Sequence, residues 1–353
     1  MTTKNIRLLI LGTGGMAGAH AGAFAKIDGV SLAAGVDMDP DRLAAFQKEY
    51  GIEHGFTSLD EAIAWGEFDA ACNVTPDSVH YKTTLDLIAA GKHVLCEKPL
   101  ATNQAHADEM AAAAQAAGVV NMVNLTYRNV PSLNKAHDLI EEGAIGDIRH
   151  FDASYLQSWL TNDAWGDWSS ESKWLWRLST AHGSNGTLGD IGIHILDFAT
   201  YIAGSDAANV SGRLHTFHKA PGDKIGEYVL DANDSIAMHV GLENGAIGVI
   251  HATRFASGHH NDLRLQIFGT TGGLDVELTG EVSRLRASLG EDMRKGEWKD
   301  IECPPVQTNY QKFAAAIQAG TMGSPDFARG AALQRVLDLT AESADQKSIV
   351  LDV

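Results

Sequence analysis

Long apolar runs are absent from this chain of 353 residues. No stretch approaches the roughly 18 consecutive apolar residues that a membrane-spanning helix needs. The segment after Met1 leads directly into an apolar strand and a glycine turn, without the small-residue cleavage site of a secretory signal. We therefore expect a cytoplasmic protein with no membrane span and no export signal.

Cysteine is scarce, and basic residues are outnumbered. The three cysteines, Cys72, Cys96 and Cys303, have neither CxxC nor metal-finger spacing, so we predict no disulfide framework and no metal site. Adjacent His259 and His260 would point to opposite faces of a strand, which also disfavours a metal site. With 45 acidic and 27 basic residues the formal charge is −18, which would repel a phosphate backbone. We predict no nucleic-acid partner.

The length and the pattern of apolar residues predict two domains, residues 1–124 and 125–353. Short apolar runs alternate with amphipathic stretches in the first, which is typical of a doubly wound parallel sheet of the Rossmann type. Alternating strands with turn signals prevail in the second from Val210 onward. Glu243-Asn244-Gly245 there predicts a hairpin. The second domain is therefore predicted to be α+β with a large, mostly antiparallel open sheet.

A glycine turn follows the first strand. Gly12-Thr13-Gly14-Gly15-Met16-Ala17 leads into a helix of small residues. In a dinucleotide-binding turn the first glycine makes the bend, the second admits the pyrophosphate, and the third position needs only a small side chain. We predict a dinucleotide site at this turn.

Asp37 ends the second strand, 20 residues after Ala17, where a carboxylate would accept both ribose hydroxyls of NAD and repel a 2′-phosphate. Arg42 lies one turn further on and could soften that repulsion, and Asp37 could also be a simple turn residue. We predict NAD as the preferred cofactor and NADP as the alternative.

Three side chains end later strands of the same predicted sheet. Thr75 with Pro76 ends the third of these strands, and Glu97 and Lys98 end the fourth. Ligands of open parallel sheets bind beyond the carboxyl ends of the strands. We therefore expect these residues at the edge of the cofactor crevice, although an isolated lysine at a strand end is more often a surface charge.

Several motifs together resemble the Gfo/Idh/MocA oxidoreductase family. They are Gly12-x-Gly14-x-x-Ala17, Thr75-Pro76 with His80, Gly91 to Pro99 with its Glu97-Lys98-Pro99 end, Tyr127-Arg128, Trp176-Arg177 and Gly189-Asp190-Ile191-Gly192-Ile193-His194. The sequence departs from the family pattern at Ala17 and at Asp77, where members often have asparagine. The resemblance implies NAD(P)-dependent hydride transfer involving a secondary alcohol of a sugar, cyclitol or related polyol.

The resemblance also implies roles for individual residues. The catalytic residues would be Lys98, Asp190 and His194. The cofactor would contact Gly12, Thr13, Gly14, Gly15, Met16, Asp37, Met38, Thr75, Pro76, His80, Glu97, Lys98, Trp176 and Arg177. The substrate would contact Lys98, Tyr127, Arg128, Tyr155, Gln157, Trp159, Asp190 and His194. Relatives further imply a homo-oligomer, a dimer or a tetramer, formed through the outer face of the second domain's sheet.

Residue spacing agrees with the catalytic assignment. Asp190 and His194 are four residues apart and would share one face of a helix. We predict that His194 is the general base, that Lys98 stabilises the developing alkoxide, and that Asp190 orients His194 or the substrate hydroxyl. Spacing alone would favour Asp190 as a helix N-cap and His194 as a core histidine.

Five tryptophans crowd one segment of the second domain, beside Tyr155 and Gln157. They are Trp159, Trp165, Trp168, Trp174 and Trp176. Such rings suit the apolar face of a sugar, and a structural aromatic cluster is an equally good interpretation.

Two other functions compete with a polyol dehydrogenase. One is a non-catalytic NAD-binding regulator of the same fold, against which the joint presence of Lys98, Asp190 and His194 argues. The other is a dehydrogenase of a non-sugar substrate, such as a dihydrodiol or an amino-sugar nucleotide.

Overall fold

The computed structural model describes residues 5–280 and 282–353. Within them, contacts divide the chain into two compact units. The first takes in the chain up to Thr126 together with Gln307–Gln334, and the second takes in Tyr127–Val306 and Arg335–Val353. The predicted boundary after residue 124 lies close to the first crossover, whereas the return of residues 307–334 to the first unit was not predicted. None of the described helices is long and apolar enough to cross a membrane.

The first unit contains a six-stranded parallel sheet in the order β3-β2-β1-β4-β5-β6. Its strands are β1 (Ile6–Leu11), β2 (Val30–Val36), β3 (His54–Phe56), β4 (Ala70–Asn73), β5 (His93–Cys96) and β6 (Asn121–Val123). Its first five helices are α1 (Gly15–Phe24), α2 (Pro40–Tyr50), α3 (Leu59–Trp65), α4 (Asp77–Ala89) and α5 (Gln104–Ala117). Leu8, Leu9 and Ile10 are fully buried, as expected of a central strand covered on both faces. The predicted Rossmann sheet is confirmed.

The second unit contains a nine-stranded sheet in the order β16-β15-β14-β13-β7-β12-β11-β8-β17, in which only β7 and β12 pair in parallel among the described strands. These strands are β7 (Ile148–Gln157), β8 (Ala207–His215), β11 (Ser235–Leu242), β12 (Ile247–Thr253), β13 (Asn261–Gly269), β14 (Gly272–Thr279), β15 (Val282–Leu289), β16 (Lys299–Ile301) and β17 (Leu351–Asp352), with β9 (Lys224–Ile225) and β10 (Tyr228–Val229) in a separate hairpin. The predicted mostly antiparallel sheet is confirmed, as is its hairpin, which joins β11 to β12.

Helices cover one face of this large sheet. The helices of the region are α6 (Pro131–Glu141), α7 (Ser172–Leu175), α8 (Ile193–Ile202) and α9 (Gly290–Lys295). Of these, α8 packs against β7 and β12, and α6 packs against β14 and β15. Because side chains alternate along a strand, Tyr155 and Gln157 of β7 share the face of the buried residues Phe151 and Ala153.

The helices near the end of the chain are α10 (Asn309–Ala319) and α11 (Phe327–Asp345). α10 begins with a capping box in which Thr308 and Gln311 bond each other's backbone amides. Its residues Tyr310 and Phe313 pack edge-on against Phe24 of α1, with ring centroids 5.3 and 6.3 Å apart. This packing explains why a segment so late in the sequence belongs to the first unit.

Candidate active site

The glycine turn after β1 has the geometry that a dinucleotide requires. Gly12 has φ +86°, and a Cβ there would lie 2.8 Å from the carbonyl oxygen of Val74, so only glycine fits. A Cβ on Gly14 or Gly15 would meet no atom within 4 Å. α1 begins at Gly15 without a side-chain cap, so no side chain at the N-cap satisfies its first amides. Ala17, in the third position, is fully buried.

Asp37 is the most heavily hydrogen-bonded carboxylate of this region. It accepts hydrogen bonds from the amide and hydroxyl of Thr13 at 2.9 and 2.7 Å, and from the amide of Asp39 at 2.9 Å. Arg42 donates to both carboxylate oxygens, from Nε at 3.0 Å and from Nη2 at 2.8 Å. Burial alone would raise the pKa of Asp37, but these hydrogen bonds, led by those of Arg42, hold it well below its ordinary value. Asp37 is therefore an anion at neutral pH.

Two further predicted cofactor residues are Met16, in the first turn of α1, and Met38, which follows β2 directly after Asp37. Both side chains are exposed, with 47% and 88% of their surface accessible. Large exposed apolar side chains beside a glycine turn are available to cover a flat ring.

The ends of β4 and β5 are tied together by His80. Its Nε2 lies 2.8 Å from the carbonyl oxygen of Thr75, and its Nδ1 lies 2.9 Å from that of Pro99. Thr75 also donates its hydroxyl to Oδ1 of Asn73 at 2.7 Å. The turns that hold Thr75 and Lys98 are therefore linked through one buried ring.

Glu97 is a buried anion behind Lys98. Its Oε1 lies 2.7 Å from Nε2 of His20 and accepts from Nδ2 of Asn124 at 2.7 Å, while its Oε2 accepts from the amide of Lys98 at 3.2 Å. Burial would raise the pKa of Glu97, but His20, Lys98 and Asn124 together lower it to about 2. These contacts hold the backbone of Lys98 in place, and the predicted contact of Glu97 with the cofactor stays a prediction.

In the second unit, Asp190 lies in a π-helical turn, Leu188–Gly192, that leads into α8. Two glycines permit this turn, since a Cβ on Gly189 would lie 2.4 Å from Cβ of Asn185 and a Cβ on Gly192 would lie 2.8 Å from Cδ1 of Ile236. The predicted helix is therefore present, but it starts with a wider turn than expected. Asp190 is inside this turn and is not an N-cap. Single π-turns are frequent at functional sites.

A buried arginine holds Asp190. Nη2 of Arg254 donates to Oδ2 of Asp190 at 2.9 Å, and Nη1 of Arg177 lies 3.9 Å from the other oxygen. Arg254 is fully buried and donates a second hydrogen bond, 3.1 Å long, to the carbonyl oxygen of Arg177. Burial lowers the pKa of Arg254, and the charge of Asp190 opposes this. Arg254 was not predicted from the sequence. The one feature that could have indicated it is its position directly after the alternating strand β12.

Two tyrosines surround His194, which is 7% exposed. The ring of Tyr127 meets the imidazole edge-on with centroids 5.0 Å apart, and that of Tyr155 lies at 6.4 Å. The two phenol groups are hydrogen-bonded to each other. Burial and the neighbouring Tyr127 raise the pKa of Tyr155, so it stays a hydroxyl donor.

Asn261 joins this group, and sequence reasoning missed it. Tyr155 donates to Oδ1 of Asn261 at 2.7 Å, and Nδ2 of Asn261 donates to the hydroxyl of Tyr127 at 3.2 Å. Gln157 donates to the same Oδ1 at 2.8 Å. Asn261 pairs with Gln157 across β13 and β7, so its position follows from the register of the sheet.

Trp159 and Arg128 are placed differently from the other predicted substrate contacts. Trp159 is 2% exposed, donates to Oε1 of Gln157 at 3.1 Å and stacks on Trp174. It belongs to an apolar cluster of Trp159, Leu160, Leu175, Leu178 and Leu230. Arg128 is 7% exposed and donates twice to Asp197, at 2.7 Å each. These contacts favour structural roles, and contact of either side chain with a substrate stays a prediction.

Comparison with known proteins identifies the family. Residues 6–125 match the model of the oxidoreductase family with an NAD-binding Rossmann fold, and residues 133–275 match that of the GFO/IDH/MocA C-terminal domain. The chain belongs to the Gfo/Idh/MocA family. The resemblance inferred from the motifs is thereby confirmed, as are the nicotinamide-binding domain and the assignment as an oxidoreductase.

Gfo/Idh/MocA proteins similar to this chain include enzymes of sugars and cyclitols. Levoglucosan dehydrogenase of Pseudarthrobacter phenanthrenivorans is 28% identical, with 98% of both chains covered. Levoglucosan dehydrogenase in complex with NADH and levoglucosan has a TM-score of 0.88, 26% identity and 99% coverage of both chains. An oxidoreductase domain protein of Kribbella flavida has a TM-score of 0.89 at 30% identity, again with 99% coverage of both chains. A scyllo-inositol 2-dehydrogenase (NADP⁺) of Bacillus subtilis is 31% identical over 57% of this chain and 59% of its own.

The predicted site residues fall into two groups. The glycine turn, Asp37, the Thr75 turn and the Lys98 turn lie in the first unit, whereas Asp190, His194, the tyrosines and Trp176-Arg177 lie in the second. Within the second unit Trp176 lies beneath the guanidinium of Arg177, 4.7 Å from the ring centroid. That Lys98 acts on the same substrate atom as Asp190 and His194 stays a prediction.

Proposed function

We propose that the protein is an NAD(P)-dependent dehydrogenase that transfers hydride between a secondary alcohol of a sugar, cyclitol or related polyol and nicotinamide. The observation that supports this most is the polar group around His194. Two phenol hydroxyls and two carboxamides, from Tyr127, Tyr155, Gln157 and Asn261, form one hydrogen-bonded set beside the imidazole. Several neutral donors and acceptors close together suit a ligand with several hydroxyls.

The residues of the first unit fit a nicotinamide dinucleotide. The open space at Gly14 and Gly15 and the uncapped amides of α1 would hold the pyrophosphate. The Asp37 carboxylate would bind the ribose hydroxyls of NAD, which makes NAD the preferred cofactor. Arg42, already bonded to Asp37, leaves NADP as the alternative. When bound, the nicotinamide accepts or donates the hydride.

His194 would act as the general base. During alcohol oxidation it would accept the hydroxyl proton, since imidazole is suited to proton transfer near neutral pH. The ammonium of Lys98 would donate a hydrogen bond to the same oxygen and stabilise its developing negative charge. Asp190, held by Arg254, would orient His194 or the substrate hydroxyl.

The first experiment follows the near-ultraviolet absorbance of reduced nicotinamide. Purified protein receives NAD or NADP with a panel of aldoses, inositols and anhydrosugars. We expect reduction with one group of these sugars. Binding of NAD without turnover across the panel would contradict the proposal and favour a non-catalytic regulator or a non-sugar substrate.

Two variants and two controls test the catalytic residues. Lys98→Met and His194→Ala are each expected to lower kcat by about 10²–10⁴-fold while NAD still binds. Lys82→Met and His218→Gln are matched controls, because the side chains of Lys82 and His218 are 78% and 72% exposed. Near-normal turnover by Lys98→Met would refute the proposed role of Lys98.

We further propose that the protein is a cytoplasmic homo-oligomer that uses the outer face of the nine-stranded sheet. Ile247 on that face is 63% exposed, and it lies beside exposed His150 of β7. Ile247 is thus a large apolar side chain exposed on a sheet face that otherwise carries mostly polar residues, and a second copy would cover it. Light scattering of the wild type and of Ile247→Asp tests this, and an unchanged mass for the variant would contradict it.

A further inference from the structure

His80 has a hydrogen-bonding arrangement that its ordinary neutral form does not satisfy. It lies in the first turn of α4 and is fully buried. Nε2 is 2.8 Å from the carbonyl oxygen of Thr75, and Nδ1 is 2.9 Å from the carbonyl oxygen of Pro99. Both contacts lie within hydrogen-bond distance.

The chemistry of the two partners decides the protonation state of the ring. A carbonyl oxygen only accepts hydrogen bonds, whereas a neutral imidazole has one N–H donor and one nitrogen lone pair. In either tautomer of a neutral His80, one lone pair would face a carbonyl oxygen at close range with no proton between them. Only the imidazolium, which has a donor on both nitrogens, makes both contacts favourable.

We propose that His80 is an imidazolium at neutral pH and a positioning residue for Lys98. Its two hydrogen bonds join the turn after β4, which holds Thr75, to the turn after β5, which holds Lys98. Pro99 directly follows Lys98 in the chain. A hydrogen bond that holds the Pro99 carbonyl therefore restricts the position of the Lys98 backbone, from which the lysine side chain extends. The consequence for Lys98 rests on the proposed function, whereas the charge on His80 does not.

The surroundings of the ring support the charged form. Burial would lower the pKa of His80, but the sulfur of Cys96, the carboxylate of Asp77 and the carbonyl of Pro99 outweigh it and raise the pKa to about 10. Asp77 belongs to the first turn of α4 and Cys96 to β5, and they are the two titratable groups that raise the pKa of His80 most. Thr84 of α4 donates to the Cys96 sulfur at 3.8 Å.

A direct measurement tests the charge. Nitrogen NMR of wild-type protein labelled in its 15 histidines is recorded at about pH 8.5, roughly two units above the ordinary histidine pKa. We expect one ring with two protonated nitrogens, and we expect its signals to be absent in His80→Gln or, should that variant not fold, in His80→Phe. If every ring in the wild type is neutral at this pH, or if the charged ring persists in the variants, the proposal is overturned.

A kinetic measurement tests the positioning role separately. His80→Gln retains an amide that donates to one carbonyl, and His80→Lys retains a cation with several donors. We expect His80→Gln to lower kcat by roughly 100-fold, the effect of a displaced catalytic group, with little change in the affinity for NAD. We expect His80→Lys to recover part of that loss. Equal kcat in His80→Gln and wild type would refute the positioning role, whereas a wild type without any turnover would refute the proposed function and leave the NMR result to decide the charge.

Discussion

Removal of the Asp190 charge should destabilise the second unit far more than removal of an exposed aspartate does. Arg254 is fully buried, and its Nε has no hydrogen-bond partner among the described residues. Asp234, another carboxylate that acts on Arg254, already forms a buried ion pair with Lys219 at 2.6 Å. Arg177 adds a second positive charge nearby. In Asp190→Asn the guanidinium of Arg254 would therefore lose the anion that compensates it.

The expected loss can be stated from the burial of the pair. Removing one partner of a buried ion pair costs about 3–5 kcal/mol, because the remaining charge stays buried and uncompensated. Since the Asp190 side chain is 26% exposed, we expect a loss at the lower end of that range. Replacing both partners by neutral groups is often close to neutral, so Asp190→Asn/Arg254→Met should lie within about 1–2 kcal/mol of the wild type. Asp300→Asn is the matched control. Asp300 forms an ion pair with Arg284, and their side chains are 66% and 45% exposed, so the pair should contribute about 0–1 kcal/mol to the free energy of unfolding.

Urea unfolding followed by tryptophan fluorescence is a suitable assay, because Trp159 lies against Arg254, with the guanidinium 5.0 Å from the ring centroid. The free energy of unfolding should fall strongly in Asp190→Asn and recover in the double variant, although neither variant should turn over substrate. If Asp190→Asn were as stable as Asp300→Asn, Arg254 would have another compensating anion and the reasoning would be wrong.

Three further predictions concern the first unit. Asp37→Ser should raise the KM for NAD and lower that for NADP, because Arg42 loses its closest carboxylate and can bind a 2′-phosphate. An unchanged ratio of kcat/KM for NAD to kcat/KM for NADP would contradict this. Glu97→Gln should destabilise the protein by about 1–3 kcal/mol at pH 7 in urea titrations. The folded-state pKa of Glu97 is lowered to about 2, so its stabilising contribution is present above the unfolded pKa and is lost as pH falls towards 2. If the difference in free energy of unfolding between wild type and Glu97→Gln stayed constant between pH 7 and 3, this prediction would be wrong. His80 has a folded-state pKa raised to about 10, so its stabilisation is fully present below its unfolded pKa of 6.5 and declines as pH rises to 10; relative to His80→Gln, wild-type stability should fall over that interval.

Local sequence signals predicted the first unit well. The bend at Gly12, the space at Gly14 and the carboxylate of Asp37 each depend on a few neighbouring residues, so a motif is enough to recognise them. The return of α10 was not predictable in this way. Its attachment depends on Tyr310 and Phe313 meeting Phe24 almost three hundred positions earlier, and such packing leaves no local pattern.

In the second unit, too, contacts between residues outside a local motif could not be predicted from the sequence. Sequence spacing placed Asp190 and His194 near each other, but the π-turn between them depends on tight contacts of Gly189 and Gly192 with Asn185 and Ile236. Trp159, a candidate platform for a sugar ring, is buried in the apolar cluster, and its contact with a substrate stays a prediction. The presence of a tryptophan in the sequence does not show which face of its ring is buried.

Arg254 and Asn261 were missed for one common reason, the pairing of strands that are far apart in sequence. β12 runs parallel to β7 with Thr253 opposite Leu156, and β13 runs antiparallel to β7 with Asn261 opposite Gln157. β7 therefore lies between β12 and β13, which both come later in the sequence. Arg254, after β12, and Asn261, at the start of β13, lie near the end of β7 that contains Tyr155 and Gln157. Because a slip of one residue in a strand would turn its side chains to the opposite face, the register that buries Leu263 and Leu265 also fixes Asn261 beside Tyr155. The polar group around His194 is therefore specified by the hydrophobic pattern of the sheet as much as by its own residues.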